Sequence, residues 1–253
     1  QGFLGVRAGG ARSSAVIESE GLISGQAAAI IGQSTGALTI NNHDDGEIVA
    51  NGTAIRSNEG SLALNNAGLI SAAAQDAIVI TTADGVIVNS GRIIGGQYGI
   101  VTTPMADGTG RAINTSITNN GEIIGLNNDG IRLAGGGSVI NSGFIVGVNA
   151  GAQGTDGISM FAHVDQSNED YSAHDTNDEN GRIEGQRFAI ILSGGGEVVN
   201  AGEIEGVNGG VYVQGTALNT DPSEDRSRLT AKVGNTGDIR GTGNLGGRWG
   251  GGH

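Results

Sequence analysis

The feature that most constrains the fold of this chain is a short sequence repeat that occurs nine times. Its kernel is an apolar pair, then usually Asn, one residue, Gly, one residue, Ile, one residue and often Gly. The clearest copies read VNSGRIIG (Val88 to Gly95), TNNGEIIG (Thr118 to Gly125), INSGFIVG (Ile140 to Gly147) and VNAGEIEG (Val199 to Gly206). Such a repeat indicates stacked, similar units, because one unit cannot bury its own apolar face alone.

The repeat has a base period of about 22 residues, which predicts the shape of the unit. The central, or anchor, glycine falls at residues 21, 46, 68, 91, 121, 143, 181, 202 and 237. One period divides into three short strands with tight corners, since a strand rises roughly 3.3 Å per residue and most corners need few residues. We therefore predict an all-β fold, a right-handed, single-stranded parallel β-helix (β-solenoid) of about nine coils of roughly 22 residues, with three short strands per coil.

Equivalent residue types return in each coil, which predicts side-chain columns along the axis. Coils stacked at about 4.8 Å place one Ile of each kernel over the next. These residues are Ile23, Ile48, Ile70, Ile93, Ile123, Ile145, Ile183, Ile204 and Ile239. A second core position lies where Ala or Gly precedes Ile or Val, as in Ala29-Ile30 and Gly130-Ile131.

Asn predominates two positions before the anchor glycine. The nine residues at that place are Ser19, Asp44, Asn66, Asn89, Asn119, Asn141, Glu179, Asn200 and Asn235. Aligned amides hydrogen-bond to one another along a stack, so we predict a structural Asn ladder at this corner. We also expect positive φ at the anchor glycines, a conformation that glycine adopts without steric cost.

Three insertions enter at one corner of the predicted coils. They span residues 102–115, 162–177 and 214–230, on alternate coils four, six and eight counted from the anchor glycine. Elsewhere the same corner is short, as in AGGGS (Ala134 to Ser138). Insertions at one repeat position project from one side of a solenoid, which predicts a one-sided loop ridge. Residues 1–253 as a whole are predicted to be a single β-solenoid domain, with a Gly-rich C-terminal tail over residues 241–253.

Composition excludes several kinds of function. The formal net charge is -13, and no stretch of Lys and Arg forms the basic stripe that nucleic-acid binding requires. No apolar run approaches the roughly 20 residues that span a bilayer, so we predict no membrane span in this chain. The absence of Cys excludes disulfides, thiolate zinc sites and a Cys nucleophile.

The middle insertion is acidic and contains candidate calcium ligands. The candidates are Asp165, Asp170, Asp175 and Asp178. Hard cations are bound by clustered oxygen ligands, but the segment lacks both the EF-hand spacing and the nonapeptide of calcium-binding β-rolls. A solvated acidic loop is therefore the favoured interpretation, and no cofactor is predicted.

An enzyme that acts on polysaccharides is an alternative that the sequence leaves open. Glycosidases need two carboxylates about 5 to 10 Å apart, for which Asp156 with Asp165, or Glu203 with Glu205, are candidates. Acidic pairs are expected by chance in this composition, the aromatic residues form no obvious track, and no familiar catalytic motif occurs. We therefore predict a protein that is not an enzyme.

The copies VNSGRIIG, INSGFIVG and VNAGEIEG resemble the degenerate repeats of bacterial autotransporter passengers and of filamentous haemagglutinin-like adhesins. The resemblance covers nearly the whole chain, and its motif is specific for the architecture rather than for a target. It implies an exported bacterial protein, extracellular or on the outer surface. The expected role is a structural or adhesive scaffold whose loop ridge meets a host, matrix or cell-surface ligand.

The ends of the chain predict a further mode of association. A solenoid exposes unpaired backbone and apolar side chains at its first and last coils unless they are capped. No amphipathic cap is evident, and the chain begins with Gln1 and shows no signal peptide. Three interpretations remain: excision from a longer passenger, irregular local caps, or self-association, either head-to-tail into a fibre or side by side.

Overall fold

The computed structural model describes residues 4–10, 13–33, 36–81, 84–103, 114–149, 154–164, 170–171, 173–214 and 230–243. Regular structure within these residues is entirely β, in 29 strands. Three parallel sheets of nine strands each recur in turn along the chain, so that each coil contributes one strand to each sheet. The predicted parallel β-helix with three strands per coil is confirmed. The described part of the chain has no helix with the length and apolarity to cross a bilayer.

The strands are numbered in chain order and grouped by sheet. Sheet 1 contains β1 (Leu4–Gly9), β4 (Ala28–Gln33), β7 (Thr53–Glu59), β10 (Ile78–Ile80), β13 (Ile100–Thr102), β16 (Ile131–Ala134), β19 (Ile158–Phe161), β24 (Phe188–Ser193) and β27 (Gly209–Gln214). Sheet 2 contains β2 (Ala15–Ser19), β5 (Leu38–Asn42), β8 (Leu62–Asn66), β11 (Gly85–Asn89), β14 (Thr115–Asn119), β17 (Gly137–Asn141), β22 (Ala173–Asn177), β25 (Gly196–Asn200) and β28 (Ala231–Asn235). Sheet 3 contains β3 (Leu22–Gly25), β6 (Glu47–Ala50), β9 (Leu69–Ala72), β12 (Arg92–Gly95), β15 (Glu122–Gly125), β18 (Phe144–Gly147), β23 (Arg182–Gly185), β26 (Glu203–Gly206) and β29 (Asp238–Gly241). A small antiparallel hairpin, β20 (His163–Val164) and β21 (Asp170–Tyr171), lies between β19 and β22.

Parallel pairing keeps the coils in register, so the inward side chains form columns. Each Ile of the predicted sheet 3 column pairs with the Ile of the next coil, from Ile23 to Ile239. The seven members from Ile48 to Ile204 are fully buried. Sheet 1 supplies a matching column, in which Ile30 to Ile190 are also fully buried. Burial of such a side chain stabilises the fold by about 1.5–3 kcal/mol, so these columns form the core.

A ladder of Asn side chains follows the corner between sheets 2 and 3. The side-chain amide of each Asn donates to the Oδ1 of the Asn in the next coil, over 2.7 to 2.8 Å. The members are Asn42, Asn66, Asn89, Asn119, Asn141, Asn177, Asn200 and Asn235. Each amide also donates to the carbonyl of its own anchor glycine. In the first coil Ser19 takes this place and gives its hydroxyl hydrogen to Gly21, so Asn42 Oδ1 accepts no hydrogen bond.

Two of the ladder positions expected from the sequence are wrong. Counting two residues back from the glycine selects Asp44 and Glu179, whereas the ladder contains Asn42 and Asn177. In these two coils the corner is longer by two residues and closes with a tight turn, in which the anchor Gly46 donates its N–H to the carbonyl of His43. The ladder position is therefore set by the strand register and not by a fixed distance from the glycine.

The expectation of positive φ at the anchor glycines is also wrong. Glycines with positive φ occur elsewhere among the described residues, and the anchor glycines are not among them. The anchors are glycine for a different reason, which is close approach between coils. At Gly121, for example, an added Cβ would lie closer than 3.0 Å to the backbone of Ser90 and Gly91 in the preceding coil. Among the nine anchor glycines, only Gly21, in the first coil, has open space at the Cβ position.

Positive φ is instead concentrated at the corner between sheets 1 and 2. Gly135, Gly136 and Gly137 form the short version of this corner, with φ of 117°, 87° and 132°. A second run, Gly194 to Gly196, repeats the conformation with φ of 89°, 113° and 136°. Glycine adopts these angles without the steric cost that a Cβ brings, so the triple-glycine corner turns the chain in the fewest residues.

The anchor column yields a prediction with an internal control. Gly121→Ala places a methyl group against backbone that cannot rotate away, and overpacking of this kind costs about 1–3 kcal/mol. Gly21→Ala meets open space, so we expect a change in unfolding free energy within about 0.5 kcal/mol. Urea unfolding followed by circular dichroism compares the two variants. Equal midpoints would show that coil contact is not what requires glycine at the anchor.

The Asn ladder yields a second prediction. Asn119→Ala removes the ladder acceptor of the Asn89 amide and the ladder donor of the Asn141 Oδ1 in a fully buried corner, and two lost hydrogen bonds of about 1 kcal/mol each cost about 2 kcal/mol. The matched control is Asn65→Ala, which removes an exposed Asn–Asn hydrogen bond and is expected to cost under about 0.5 kcal/mol. The same unfolding measurement applies, and similar losses at the two sites would contradict a stabilising role for the buried ladder.

Candidate functional site

The outer face of sheet 1 gathers most of the aromatic side chains of the described residues, together with two arginines. This outer aromatic face consists of Tyr98, Arg132, Phe161, Arg187, Phe188 and Tyr212. The residues come from successive coils: Tyr98 precedes β13, Arg132 lies in β16, Phe161 in β19, and Tyr212 in β27. Alternation along the strands directs Arg132, Phe161 and Tyr212 outward, because each directly follows an inward residue of its strand. Tyr98, Arg187 and Phe188 lie where the chain enters sheet 1, before the buried Ile of their coil.

Arg132 is held between two rings. Its guanidinium carbon lies 5.8 Å from the ring centre of Tyr98 and 5.0 Å from that of Phe161, and its Nη1 donates to the Tyr98 hydroxyl over 3.0 Å. A guanidinium within about 6 Å of an aromatic face is attracted by the negative ring face. No carboxylate of the described residues forms an ion pair with Arg132. The arrangement therefore presents an oriented cation flanked by two rings.

A second aromatic pair lies further along the same face. The rings of Phe188 and Tyr212 are stacked, with centres 4.6 Å apart and planes at 15°. The Arg187 guanidinium carbon lies 5.9 Å from the Phe188 ring centre. Tyr212 is 42 % exposed, so its ring is accessible from solvent.

A buried carboxylate fixes this second pair from beneath. Asp156 is fully buried and accepts two hydrogen bonds from Arg187, at 3.1 and 2.5 Å, one from the backbone N–H of Phe188 at 3.0 Å and one from Ser159 at 3.1 Å. A bidentate pair of this kind restricts both the position and the plane of the guanidinium. The hydrogen bond from Arg187 to Asp156 raises the pKa of Arg187, which keeps it charged.

Asp129 extends this network into the neighbouring coil. Its Oδ1 accepts the backbone N–H of Asp156 over 2.9 Å. Burial raises the pKa of Asp129, and the nearby negative charge of Asp156 acts in the same direction, against the hydrogen bond that Asp129 accepts. Asp129 and Asp156 thus lie beneath the face as one hydrogen-bonded network. Asp156 contacts Arg187 and Phe188, and Asp129 interacts electrostatically with Arg132.

The two candidate calcium ligands whose side chains the structure describes, Asp175 and Asp178, are not brought together. Asp175 points into the core, whereas Asp178 lies in a turn and accepts a hydrogen bond from Ser142. Asp170 lies in β21, and Asp165 falls outside the described residues. Within the described ranges, no group of three or more His, Cys, Asp or Glu side chains has the geometry to hold a metal ion.

The two carboxylate pairs considered for catalysis have different surroundings. Glu203 and Glu205 lie on the outer face of sheet 3, where both are near Arg182, at 3.6 and 4.0 Å, and Glu203 also pairs with Arg240 at 3.1 Å. Asp156 is the buried residue beneath the aromatic face, and its proposed partner Asp165 lies outside the described residues. Glu203, Glu205 and Asp156 therefore all form ion pairs or hydrogen bonds within the protein.

The three predicted insertions all follow the C-terminal end of a sheet 1 strand, on the same side of the sheet. They connect β13 to β14, β19 to β22, and β27 to β28, and most of their residues lie outside the described part of the chain. The short triple-glycine corners connect the strands of sheet 1 and sheet 2 in the coils between them. The strand ends from which the insertions depart therefore border the outer aromatic face.

The sequence reasoning missed this face. Successive aromatic residues of this face are 63, 27 and 24 residues apart and occupy different places within the repeat, so no simple spacing connects them. Alignment of each coil on its sheet 1 Ile would have placed Tyr98 and Phe188 two residues before that Ile, and Arg132 one residue after it. The same alignment places Tyr212 at the position of Arg132 and Phe161 two residues further along the same face, and this is the signal that the sequence offers.

Comparison with models of protein families, with curated proteins and with solved structures gives no match to this chain.

Proposed function

We propose that this chain is the β-helical scaffold of a bacterial surface or secreted adhesin, and that it binds a glycan through the outer aromatic face of sheet 1. The observation that supports this proposal most directly is Arg132, a cation held between the rings of Tyr98 and Phe161 that forms no direct ion pair with a described carboxylate, although its charge acts on the nearby Asp129. The repeats of the chain resemble those of bacterial surface adhesins, and this resemblance supports a location on the bacterial surface or outside the cell.

The chemistry of the face suits a sugar chain. Aromatic rings present flat apolar surfaces, while a guanidinium supplies several N–H donors in one plane. Arg132 uses one donor on the Tyr98 hydroxyl, so the remaining donors are available to hydroxyl or carboxylate oxygens of a ligand. Because the rings come from successive coils, the face follows the axis of the β-helix, as an extended polymer would.

Binding suits this face better than catalysis. A general acid or base must contact the substrate, whereas Asp156 is fully buried and already accepts four hydrogen bonds. Asp129 is also buried and engaged with the backbone of Asp156. Both carboxylates therefore fix the positions of the arginine and the rings.

The proposal predicts a localised loss of binding. Arg132→Gln removes the cation between the rings, and we expect at least a tenfold weaker affinity for the glycan that the native chain binds, which corresponds to about 1.4 kcal/mol. Arg92→Gln is the matched control, since it removes the same charge from an exposed ion pair with Glu122 on sheet 3. Affinity is measured against a panel of neutral and acidic polysaccharides, with circular dichroism as the check on folding.

The results for these variants distinguish binding by the outer aromatic face from binding by the loop ridge. If Arg132→Gln and Arg92→Gln bind equally well, the aromatic face is not the binding surface. A second variant replaces residues 104–114 with two glycines, which copies the corner at Gly135 and Gly136 and removes one insertion. Loss of binding in that variant alone would assign the ligand to the ridge instead.

A head-to-tail fibre is a second candidate, favoured by the last described coil. Val213 and Val233 pair with the buried Leu192 and Val198, yet they are 43 % and 45 % exposed. They occupy inward columns whose internal members are covered by a coil on each side. A further coil, contributed by a second copy, would cover them and extend the parallel sheets.

This candidate predicts assembly that depends on the exposed column. Sedimentation and negative-stain microscopy should show rods that lengthen with protein concentration. Val233→Arg places a charge in the stacking surface and should abolish them, because burial of an unpaired charge is costly. Val86→Arg is the control, at an outward position that is 56 % exposed. Only monomers in the native protein, or equal assembly of the two variants, would exclude the fibre.

A further inference from the structure

A carboxyl side chain interrupts the apolar column of sheet 2. The inward residues of this column are Ile17, Ile40, Leu64, Ile87, Ile117, Val139, Asp175, Val198 and Val233. Asp175 pairs with Val139 on one side and with Val198 on the other, and only 1 % of it is exposed. The acidic residue therefore lies at a core position that every other coil fills with Ile, Leu or Val.

Neither oxygen of this carboxyl group has a hydrogen-bond partner among the described residues. The neighbouring inward residues of β17, β25, β19 and β23 are apolar, or are the Asn members of the ladder. Among the described residues the other buried carboxylates are Asp129 and Asp156, which lie at the opposite corner, and the adjacent His174 points outward. No described charged group thus faces Asp175 from any strand packed against it.

Burial raises the pKa of Asp175 from its ordinary value of 3.8 to about 8. The folded coil therefore holds a proton that the unfolded chain releases near pH 4. The contribution of this group to stability is complete below pH 4, and it is lost progressively as the pH rises through about 8. Ionisation inside the core is unfavourable, because a buried charge without a partner is strongly destabilising.

The position of Asp175 connects this titration to one insertion. β22 contains Asp175 and follows directly after the connection from β19, which carries the β20–β21 hairpin. Toward its C-terminal end β22 is held by Asn177, whose amide donates to Asn200 and whose Oδ1 accepts from Asn141. Opening of β22 therefore detaches the strand that follows the β20–β21 hairpin, while the ladder retains the C-terminal end of that strand at Asn177.

We propose that the coil containing β22 is a pH-sensitive gate, packed while the Asp175 carboxyl is protonated and opened locally when that carboxyl ionises, which releases β22 from its neighbours in sheet 2. The remaining coils stay folded, because their sheet 2 positions are apolar. The device regulates how firmly the strand after the β20–β21 hairpin is held in sheet 2, and it operates whether or not the aromatic face binds a glycan.

Hydrogen exchange measured by mass spectrometry on the native chain between pH 5.5 and pH 8 tests the gate. After correction for the intrinsic exchange rate, the opening constant of β22 should rise about tenfold per pH unit, since opening releases one proton. Peptides from β8, β11 and β14 should show no such rise. Asp175→Asn should make β22 independent of pH, whereas Glu179→Gln, an exposed neighbour in the same segment, should leave the native profile unchanged.

A second variant covers the case in which Asp175→Asn does not fold. Asp175→Val restores the residue type of Val139 and Val198, and should give a coil that is more stable than the native one at pH 8 and insensitive to pH. The gate is excluded if native β22 shows no pH dependence, if the dependence survives in Asp175→Val, or if every coil loses protection together.

Discussion

Backbone hydrogen bonding between coils is the interaction on which the rest of this structure depends. Each strand pairs in parallel with the equivalent strand of the next coil, so each residue lies over its counterpart one period later. A column of Ile follows from this register, because an apolar side chain in a thin interior contacts mainly the same side chain above and below. The anchor glycines follow as well, since adjacent corners approach so closely that a Cβ has no space.

The Asn ladder shows what a polar group must supply in order to occupy such an interior. A side-chain amide has a donor and an acceptor, and stacking directs the donor to one neighbouring coil and the acceptor to the other. Every internal member is therefore satisfied by an identical residue. An ionised carboxylate offers acceptors alone and cannot form such a chain, which explains why the ladder passes through Asn177 rather than through an acidic residue of the same segment.

Much of the fold could be predicted from the sequence because the repeat itself encodes the register. The Ile columns were identified from their place in the kernel, and their pairing is confirmed along all nine coils. The two ladder errors arose because Asn42 and Asn177 precede longer corners, and linear spacing does not reveal which residue remains in the strand. Positive φ was assigned to the anchors because sequence cannot distinguish a glycine required by a dihedral angle from one required by a neighbouring carbonyl.

The candidate site was less predictable, because its residues lie at outward positions that the repeat does not constrain. Arg132 and Phe161 become neighbours only after the coils are stacked, and no motif marks them in advance. Asp175 was interpreted as part of an acidic loop, since charge along the segment was the visible signal. Alignment of Asn177 with Asn141 and Asn200 places Asp175 level with Val139 and Val198, which shows that it belongs to the core.

The two fully buried carboxylates of the described chain illustrate how location decides function. Asp156 is surrounded by donors from Arg187, Phe188 and Ser159, so its charge is compensated and it fixes the surface above it. Asp175 has no donor among the described residues, so its charge is incompatible with the packed coil and its proton becomes part of the folded structure. The first arrangement gives a rigid outer face and the second a coil whose packing depends on pH. Because Asp156 lies at the corner before β19 and Asp175 lies within β22 of the same coil, a β-helix of otherwise uniform coils can combine a fixed outer face with one conditional segment.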